Sequence, residues 1–446
     1  MSTRWPLVRS IAAGALLLAM AAATPSHAQP MAMVTAPAFL ERLNPEQRRL
    51  FDQWYRSRAA YDAELDAYWQ AIDTRKAERR RKRAAGQTVV ASDYVAAHPP
   101  KYSGPPLRAD IAELLAAVQA AQPETALPLV ADYVAMAGQH FGFAPLLTTE
   151  QEFKRRYAYE ALRVGLSKDQ VLRVYALETG GRGTYDMQSG FDPETRKGKA
   201  ISSAIGYAQL LHGNSVNELV THGETFAARL NALSVLPGVT PQRAQQLIAK
   251  AQVVRAMMRV AKSVPNDWSE HVKLGGSPRG MGIHALNLDA DVGPWMQVLK
   301  LNGLRTLAEK SGRPQLNGAE IELMNLAGPR TGLEMMEPAA LGASTANFFS
   351  QQGFYRNTIV REKSSAELLK ALEQRMDVNI VKAGAVEFGQ IFDELTVSGV
   401  APVAVAAASP GIAGVPAPVP ARRPKREEAA PDVGRLMGFA VFEPRQ

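Results

Sequence analysis

Cysteine is absent from this 446-residue chain, so neither a disulfide framework nor a lipid attached at a signal cysteine is possible. No run of residues alternates apolar and polar well enough to build a large sheet. Past the N-terminus, no apolar segment approaches the length of a membrane helix. The seven histidines, His212, His222, His271 and His284 among them, show no metal-ligand spacing. A phosphate-binding loop and a nucleophile elbow are both missing. These gaps leave no metal and no cofactor to expect.

What the chain does have begins with Arg4 and Arg9, an apolar core from Ile11 to Ala23, and Ser26-His27-Ala28 before Gln29. The pattern reads as a secretory signal peptide over residues 1–28, cleaved after Ala28 and too short for a good transmembrane span. The mature protein is then expected to be soluble, periplasmic or secreted, without a transmembrane segment. Losing Arg4 and Arg9 lowers the formal charge of +8 by two, to +6. A basic exported protein meets anionic cell wall or membrane surface more readily than nucleic acid, so no nucleic-acid partner is expected. Much of the charge sits in Arg75, Lys76, Arg79, Arg80, Arg81, Lys82 and Arg83. Its plain reading is a solvated helix end; the alternative is a binding patch.

The stretch around which the chain is organised runs from Leu166 to Leu211. Ser167 with Gln170 forms a capping box, and Val171, Leu172, Val174, Tyr175 and Leu177 give the helix that follows a buried face. Gly180 and Gly181 end that helix and leave Glu178 in its last turn, at the edge of a cleft. There the negative end of the helix dipole and apolar neighbours both favour a protonated carboxyl, as a general acid near neutral pH requires. The plain reading of Glu178 is an exposed carboxylate on a capped helix end. Gly206, Tyr207, Ala208 and Gln209 are placed where a new helix starts, with Gly206 permitting close approach of a backbone or a sugar.

The pieces Glu178-Thr179-Gly180, Ser189-Gly190-Phe191-Asp192-Pro193 and Ser203-Ala204-Ile205-Gly206-Tyr207-Ala208-Gln209 resemble, in this order, the lytic transglycosylase domain of the lysozyme-like superfamily. In that family the catalytic Glu directly precedes the Ser-Gly-Phe-Asn/Asp-Pro turn, whereas here Gln188 holds that place. The segment from Gly180 to Gln188 is read as an insertion after the acid. Farther along, Asn325-Leu326-Ala327-Gly328-Pro329 resembles the family's Ala-Tyr-Asn-Ala-Gly-Pro motif, with one residue inserted and Met324 in place of tyrosine. Its competing reading is a helix cap closed by Gly-Pro. The resemblance implies a peptidoglycan lytic transglycosylase with Glu178 catalytic. Gly206, Tyr207, Gln209, Asn325, Gly328 and, from the late aromatic stretch, Tyr355 would then bind the glycan strand. Two alternatives stay open: a non-catalytic peptidoglycan-binding module, and a muramidase in which Asp186 or Asp192 positions water.

Elsewhere the periodicity is helical. Asn44-Pro45 opens a helix carrying Leu50, Phe51, Trp54, Tyr55, Tyr61, Leu65, Tyr68, Trp69 and Ile72, a stripe that reads as core more than as a sugar-stacking platform. Residues 84–106 read as a proline-rich linker or irregular wrap, and 265–282 as a Gly-rich functional loop. Ser215 with Glu218 is expected to start a helix, as are Thr240-Pro241, Asn317 with Glu320, and Ser364 with Glu367. The expected fold is all-α: a helical N-terminal region over 29–145, a lysozyme-like domain over 146–395, and an Ala/Pro-rich disordered tail over 396–446. Neither the role of the N-terminal region nor a protein partner can be read from it.

Overall fold

The computed structural model describes residues 37–120 and 126–399, and these are helical or irregular throughout. Among them β pairing is limited to isolated bridges such as Gln188 with Ile205 and Ile205 with Leu210. The all-α expectation therefore holds. The signal peptide expected over 1–28 lies outside the described residues, as does the expected tail from residue 400 onward.

Two compact units divide the chain differently from the segments expected at 29–145 and 146–395. The first comprises the described residues up to Ala71 together with Pro99–Ala120. Its core is Phe39, Phe51, Ile111, Leu115 and Val118, with Trp54 and Tyr55 packed against them. Phe39 lies in a single helical turn, Pro37–Leu40; Phe51, Trp54 and Tyr55 come from the start of helix α1 (Pro45–Ala84), and Ile111, Leu115 and Val118 from α2 (Ala109–Ala120). The aromatic stripe of α1 is buried at Phe51, Tyr61, Leu65 and Trp69, so the core reading applies there.

The second unit holds Ile72–His98 and everything described from Ala126 on. Its helices are α3 (Val130–Phe141), α4 (Glu150–Arg163), α5 (Lys168–Thr179), α6 (His212–Ser234), α7 (Pro241–Ala261), α8 (Trp268–Gly275), α9 (Pro278–His284), α10 (Gly293–Lys310), α11 (Gly318–Ala327), α12 (Pro329–Met335), α13 (Gln351–Arg356), α14 (Ser365–Ile380) and α15 (Ala383–Val397). The Gly-rich stretch expected as a loop over 265–282 instead folds into α8 and α9, each started by a side chain, Asp267 and Ser277, that accepts a backbone N–H. The helix expected to begin at Ser215 begins at His212, capped by Asn214 bonding back to Leu211 N, and Ser215 and Glu218 are buried inside it.

The basic run near the end of α1 is not simply a solvated helix end. Arg79, only 1% exposed, donates to Glu334 Oε1 at 2.9 Å and to the carbonyls of Asp93 and Asn347. Arg83 reaches Glu334 and Glu337, and Lys82 reaches Asp93 at 2.5 Å. These bonds fasten Ile72–His98 onto α12 and the segment beside it. A buried guanidinium needs such a full set of acceptors, because leaving it unpaired costs far more than pairing gains.

Helix α5 lies at the centre of the second unit, packed on α11, α14 and α15. Behind it sits an aromatic cluster in which Tyr207 meets Tyr157, Tyr175, Phe153 and Phe388 at ring separations of 5.1–5.5 Å. Such offset and edge-on pairs add to the burial of their large apolar area and hold α5 at a fixed depth.

Candidate active site

Two capping interactions set α5 and α11 side by side. Ser167 and Gln170 form the expected box at the start of α5, and Asn317 with Glu320 forms another at the start of α11. Gln170 Nε2 then donates to Leu316 O at 2.8 Å, and Gly318 N donates to Asp169 Oδ2 at 3.1 Å. A Cβ on Gly318 would stand 2.4 Å from Arg173 Cβ, so glycine is what lets the two helices approach this closely. With their first turns pinned together and both running the same way, their last turns also meet.

At those last turns Asn325 Nδ2 donates to Glu178 Oε1 at 3.2 Å and to Glu322 Oε2 at 3.0 Å. Glu178 and Asn325 are half-buried, while Glu322 is buried. A cation completes the group: Arg375 of α14 lies in electrostatic range of Glu178, and burial lowers the Arg375 pKa while Glu178 opposes that fall. Helix α5 closes with Gly180 in the left-handed region, and Thr179 Oγ1 turns back to Tyr175 O at 2.7 Å. Gly181, at φ +72°, has no room for a side chain: a Cβ would lie 2.2 Å from Asn379 O. Ala385 N donates to Gly181 O at 3.1 Å, tying the end of α5 to the corner between α14 and α15.

The segment after Glu178 is anchored along its length. Tyr175 OH donates to Gly183 O at 2.8 Å, and Tyr185 stacks on Phe153 with ring centroids 4.5 Å apart while donating to Thr148 O. Gln188 is buried, and its amide donates to Pro128 O at 2.8 Å and Ser202 O at 3.0 Å. Both N–H groups are thus spent holding two loops together. Asp192 accepts from Thr195 N at 2.7 Å, from the Thr195 hydroxyl and from Glu194 N, and these bonds hold its carboxyl below the usual carboxylate range. Asp186 accepts from Thr184 Oγ1 at 2.6 Å and pairs with Arg196 at 3.0 Å.

The stretch from Gly206 to Gln209 differs from expectation. It is a tight turn before α6, closed by reciprocal bonds between Ile205 and Leu210 at 3.1 and 3.0 Å, and no helix starts there. Gly206 is buried at φ +81°, with the Gln297 amide 2.6 Å from where its Cβ would stand, so it admits a neighbouring side chain at close range. Tyr207 is a core ring, its hydroxyl bonded to Glu150 Oε1, and burial pushes its pKa well up. Gln209 is buried at φ +40° and donates to Gly206 O at 2.8 Å and Met187 O at 3.3 Å. All three hold the turn together. His284 braces it from below: Ser203 O lies 2.7 Å from Nε2, and Nδ1 accepts from Ser215.

Gly328, at φ +91°, ends α11 with open space where a side chain would stand, which fits the helix-cap reading. Tyr355, half-buried on α13, meets Phe354 edge-on at 5.2 Å. Of the residues expected in a site, the structure thus joins Glu178 and Asn325 by a hydrogen bond. Two further members were not foreseen. Glu322 carries a sequence signal, since it lies three residues before Asn325 on the same helical face. Arg375, 197 positions beyond Glu178 on a separate helix, carries none.

Among the described residues no helix is long and apolar enough to cross a membrane. Comparison with family models, curated proteins and solved structures gives no match for this chain.

Proposed function

We propose that the group around Glu178 cleaves glycan strands and that the protein is a peptidoglycan lytic transglycosylase. The observation that carries this reading is the bond from Asn325 to Glu178: two residues singled out from motifs 147 positions apart meet at 3.2 Å. Gln188 adds support. It stands where the lysozyme-like pattern would put its acid, and both of its N–H groups are spent on buried carbonyls. That leaves Glu178 as the carboxyl at the head of the motif series.

In the proposed reaction Glu178 gives its proton to the glycosidic oxygen between N-acetylmuramic acid and N-acetylglucosamine, and the C–O bond breaks. The substrate's own N-acetyl group steadies the positive charge at the anomeric carbon. Glu178, now a carboxylate, takes the proton from the muramoyl 6-hydroxyl as that oxygen closes on the anomeric carbon. A 1,6-anhydro ring forms, no water is consumed, and Glu178 ends as it began. General acid–base assistance of this kind contributes about 10²–10⁴-fold. Because the nucleophile belongs to the substrate, proximity replaces a second protein carboxylate. The acids considered for a muramidase, Asp186 and Asp192, are engaged in an ion pair and a turn, which disfavours that alternative.

The test is mass spectrometry of muropeptides released from purified sacculi by the mature protein and by Glu178→Gln. Wild type should release fragments ending in 1,6-anhydromuramic acid, lighter by one water than hydrolytic products, and Glu178→Gln should release almost none while keeping its thermal stability. Reducing-end products would make the protein a muramidase. Binding of sacculi without any cleavage would make it a binding module. Full activity in Glu178→Gln would place the acid elsewhere.

A further inference from the structure

Asn325 Nδ2 makes two bonds, to Glu178 Oε1 at 3.2 Å and to Glu322 Oε2 at 3.0 Å. A side-chain amide has two N–H groups on one side and an accepting carbonyl on the other. If the amide turned over, its carbonyl oxygen would face two carboxyl groups at once. One carboxyl alone would hold that orientation weakly, whereas two hold it firmly. Glu322 is 1% exposed and sits on the same face of α11 as Asn325, so it has little freedom to leave.

We propose that Glu322 is a positioning residue: its buried carboxyl locks the Asn325 amide so that one N–H always points at Glu178 Oε1. This rests on the acid role proposed for Glu178 and goes beyond it. With Oε1 receiving an N–H, the proton of the acid form belongs on Oε2. Once that proton has gone to the leaving oxygen, the same N–H stabilises the carboxylate that remains. A hydrogen bond that strengthens as charge develops accelerates the chemical step more than it tightens binding. Glu322 therefore acts through Asn325, and its loss should lower kcat with KM nearly unchanged.

The experiment compares the mature protein with Glu322→Met, Glu322→Gln, Asn325→Ala and the double variant Glu322→Met/Asn325→Ala, on purified sacculi and by NMR of the Asn325 side-chain amide. Methionine has similar length without an accepting oxygen. Glu322→Met should lower kcat about 10- to 100-fold, the range for one hydrogen bond to a charged group. Glu322→Gln keeps an accepting oxygen and should recover most of that loss. In the Asn325→Ala background the methionine change should cost nothing further. An equal additional loss in that background would show that Glu322 does not act through Asn325 and would overturn the proposal.

The NMR arm needs no activity. In wild type the two Asn325 amide protons should be protected from exchange, and in Glu322→Met they should lose protection. Amide protons that exchange with solvent in wild type as fast as those of an exposed asparagine would overturn the proposal even if no variant folds. If wild type cuts no glycan but the amide is locked and is released by Glu322→Met, the enzymatic reading fails while the positioning role stands.

Discussion

Glu218 offers a test of the fold itself, away from the proposed chemistry. It lies inside α6 at 5% exposure, and burial raises its pKa from 4.5 to about 7, against the opposing charge of Lys300 and a bond from Asn217 at 3.4 Å. His222 Nε2 stands 3.8 Å away, and burial lowers that ring's pKa, which keeps it neutral near pH 7. The folded chain thus holds the Glu218 proton more tightly than the unfolded chain does. Its contribution to stability is full below the ordinary value of 4.5 and is lost as pH rises toward about 7, beyond which both states are ionised. At 1.36 kcal/mol per pKa unit, the shift corresponds to about 3 kcal/mol. Glu218→Gln keeps the shape and removes the titration. It should match wild type near pH 4 and exceed it by up to about 3 kcal/mol at pH 8. Urea unfolding followed by far-UV circular dichroism, for both proteins across that range, measures the difference. Groups titrating in both proteins cancel, including His284, whose pKa burial lowers to about 3. A difference that stays constant with pH would refute the reasoning. So would a variant less stable than wild type at pH 8, because the Lys300 charge would then outweigh the burial cost.

Two further predictions concern the frame of the site. Gly181→Ala must place a Cβ 2.2 Å from Asn379 O at φ +72°, so it should lower unfolding stability by more than about 3 kcal/mol in thermal or urea melts. Gly180→Ala, at φ +65° with open space, should lose only about 1 kcal/mol; equal losses would show that Asn379 is free to move aside. Gln209→Ala removes the bonds to Gly206 O and Met187 O and should lower stability by about 1–2 kcal/mol with KM unchanged. A raised KM at unchanged stability would return Gln209 to the cleft.

Local rules made much of the helical frame legible. Ser167 with Gln170, Asn317 with Glu320, Ser364 with Glu367 and Thr240 before Pro241 each start a helix where a short-range cap signals one. The failures arose where tertiary contacts outweighed local signals. Ser215 and Glu218 have the spacing of a cap, yet Leu211 and Asn214 cap the same helix four residues earlier, and Ser215 instead serves His284. The glycines between Pro265 and Gly282 read as loop, yet Gly280 lets α8 and α9 press backbone on backbone, since a Cβ there would stand 1.9 Å from Leu274 O, and Gly275 lets α8 meet His212 of α6, whose ring would lie 2.3 Å from a Cβ. Composition shows that glycine is present. It does not show whether glycine serves a turn or a close packing contact.

The same distinction explains the candidate site. The placement of Glu178 and Asn325 in the last turns of their helices is legible because each helix ends at a glycine, and a helix end is a local event that short sequence reveals. Tyr207 and Gln209 are buried where the motif suggests an exposed sugar cleft, because the same motif letters suit a buried turn. Only the ring of Tyr157, Tyr175, Phe153 and Phe388 around Tyr207, drawn from the three helices α4, α5 and α15, makes the turn part of the core. Arg375 was invisible for a related reason. An arginine on an amphipathic helix is ordinarily solvent-facing, and its place beside Glu178 depends on Gly181 drawing α14 against the end of α5. A substitution at Gly181 that still folds should therefore disturb the electrostatics of Glu178 without touching either side chain. The pH profile of cleavage would then shift in such a variant while Glu178, Asn325 and Glu322 all remain in the sequence.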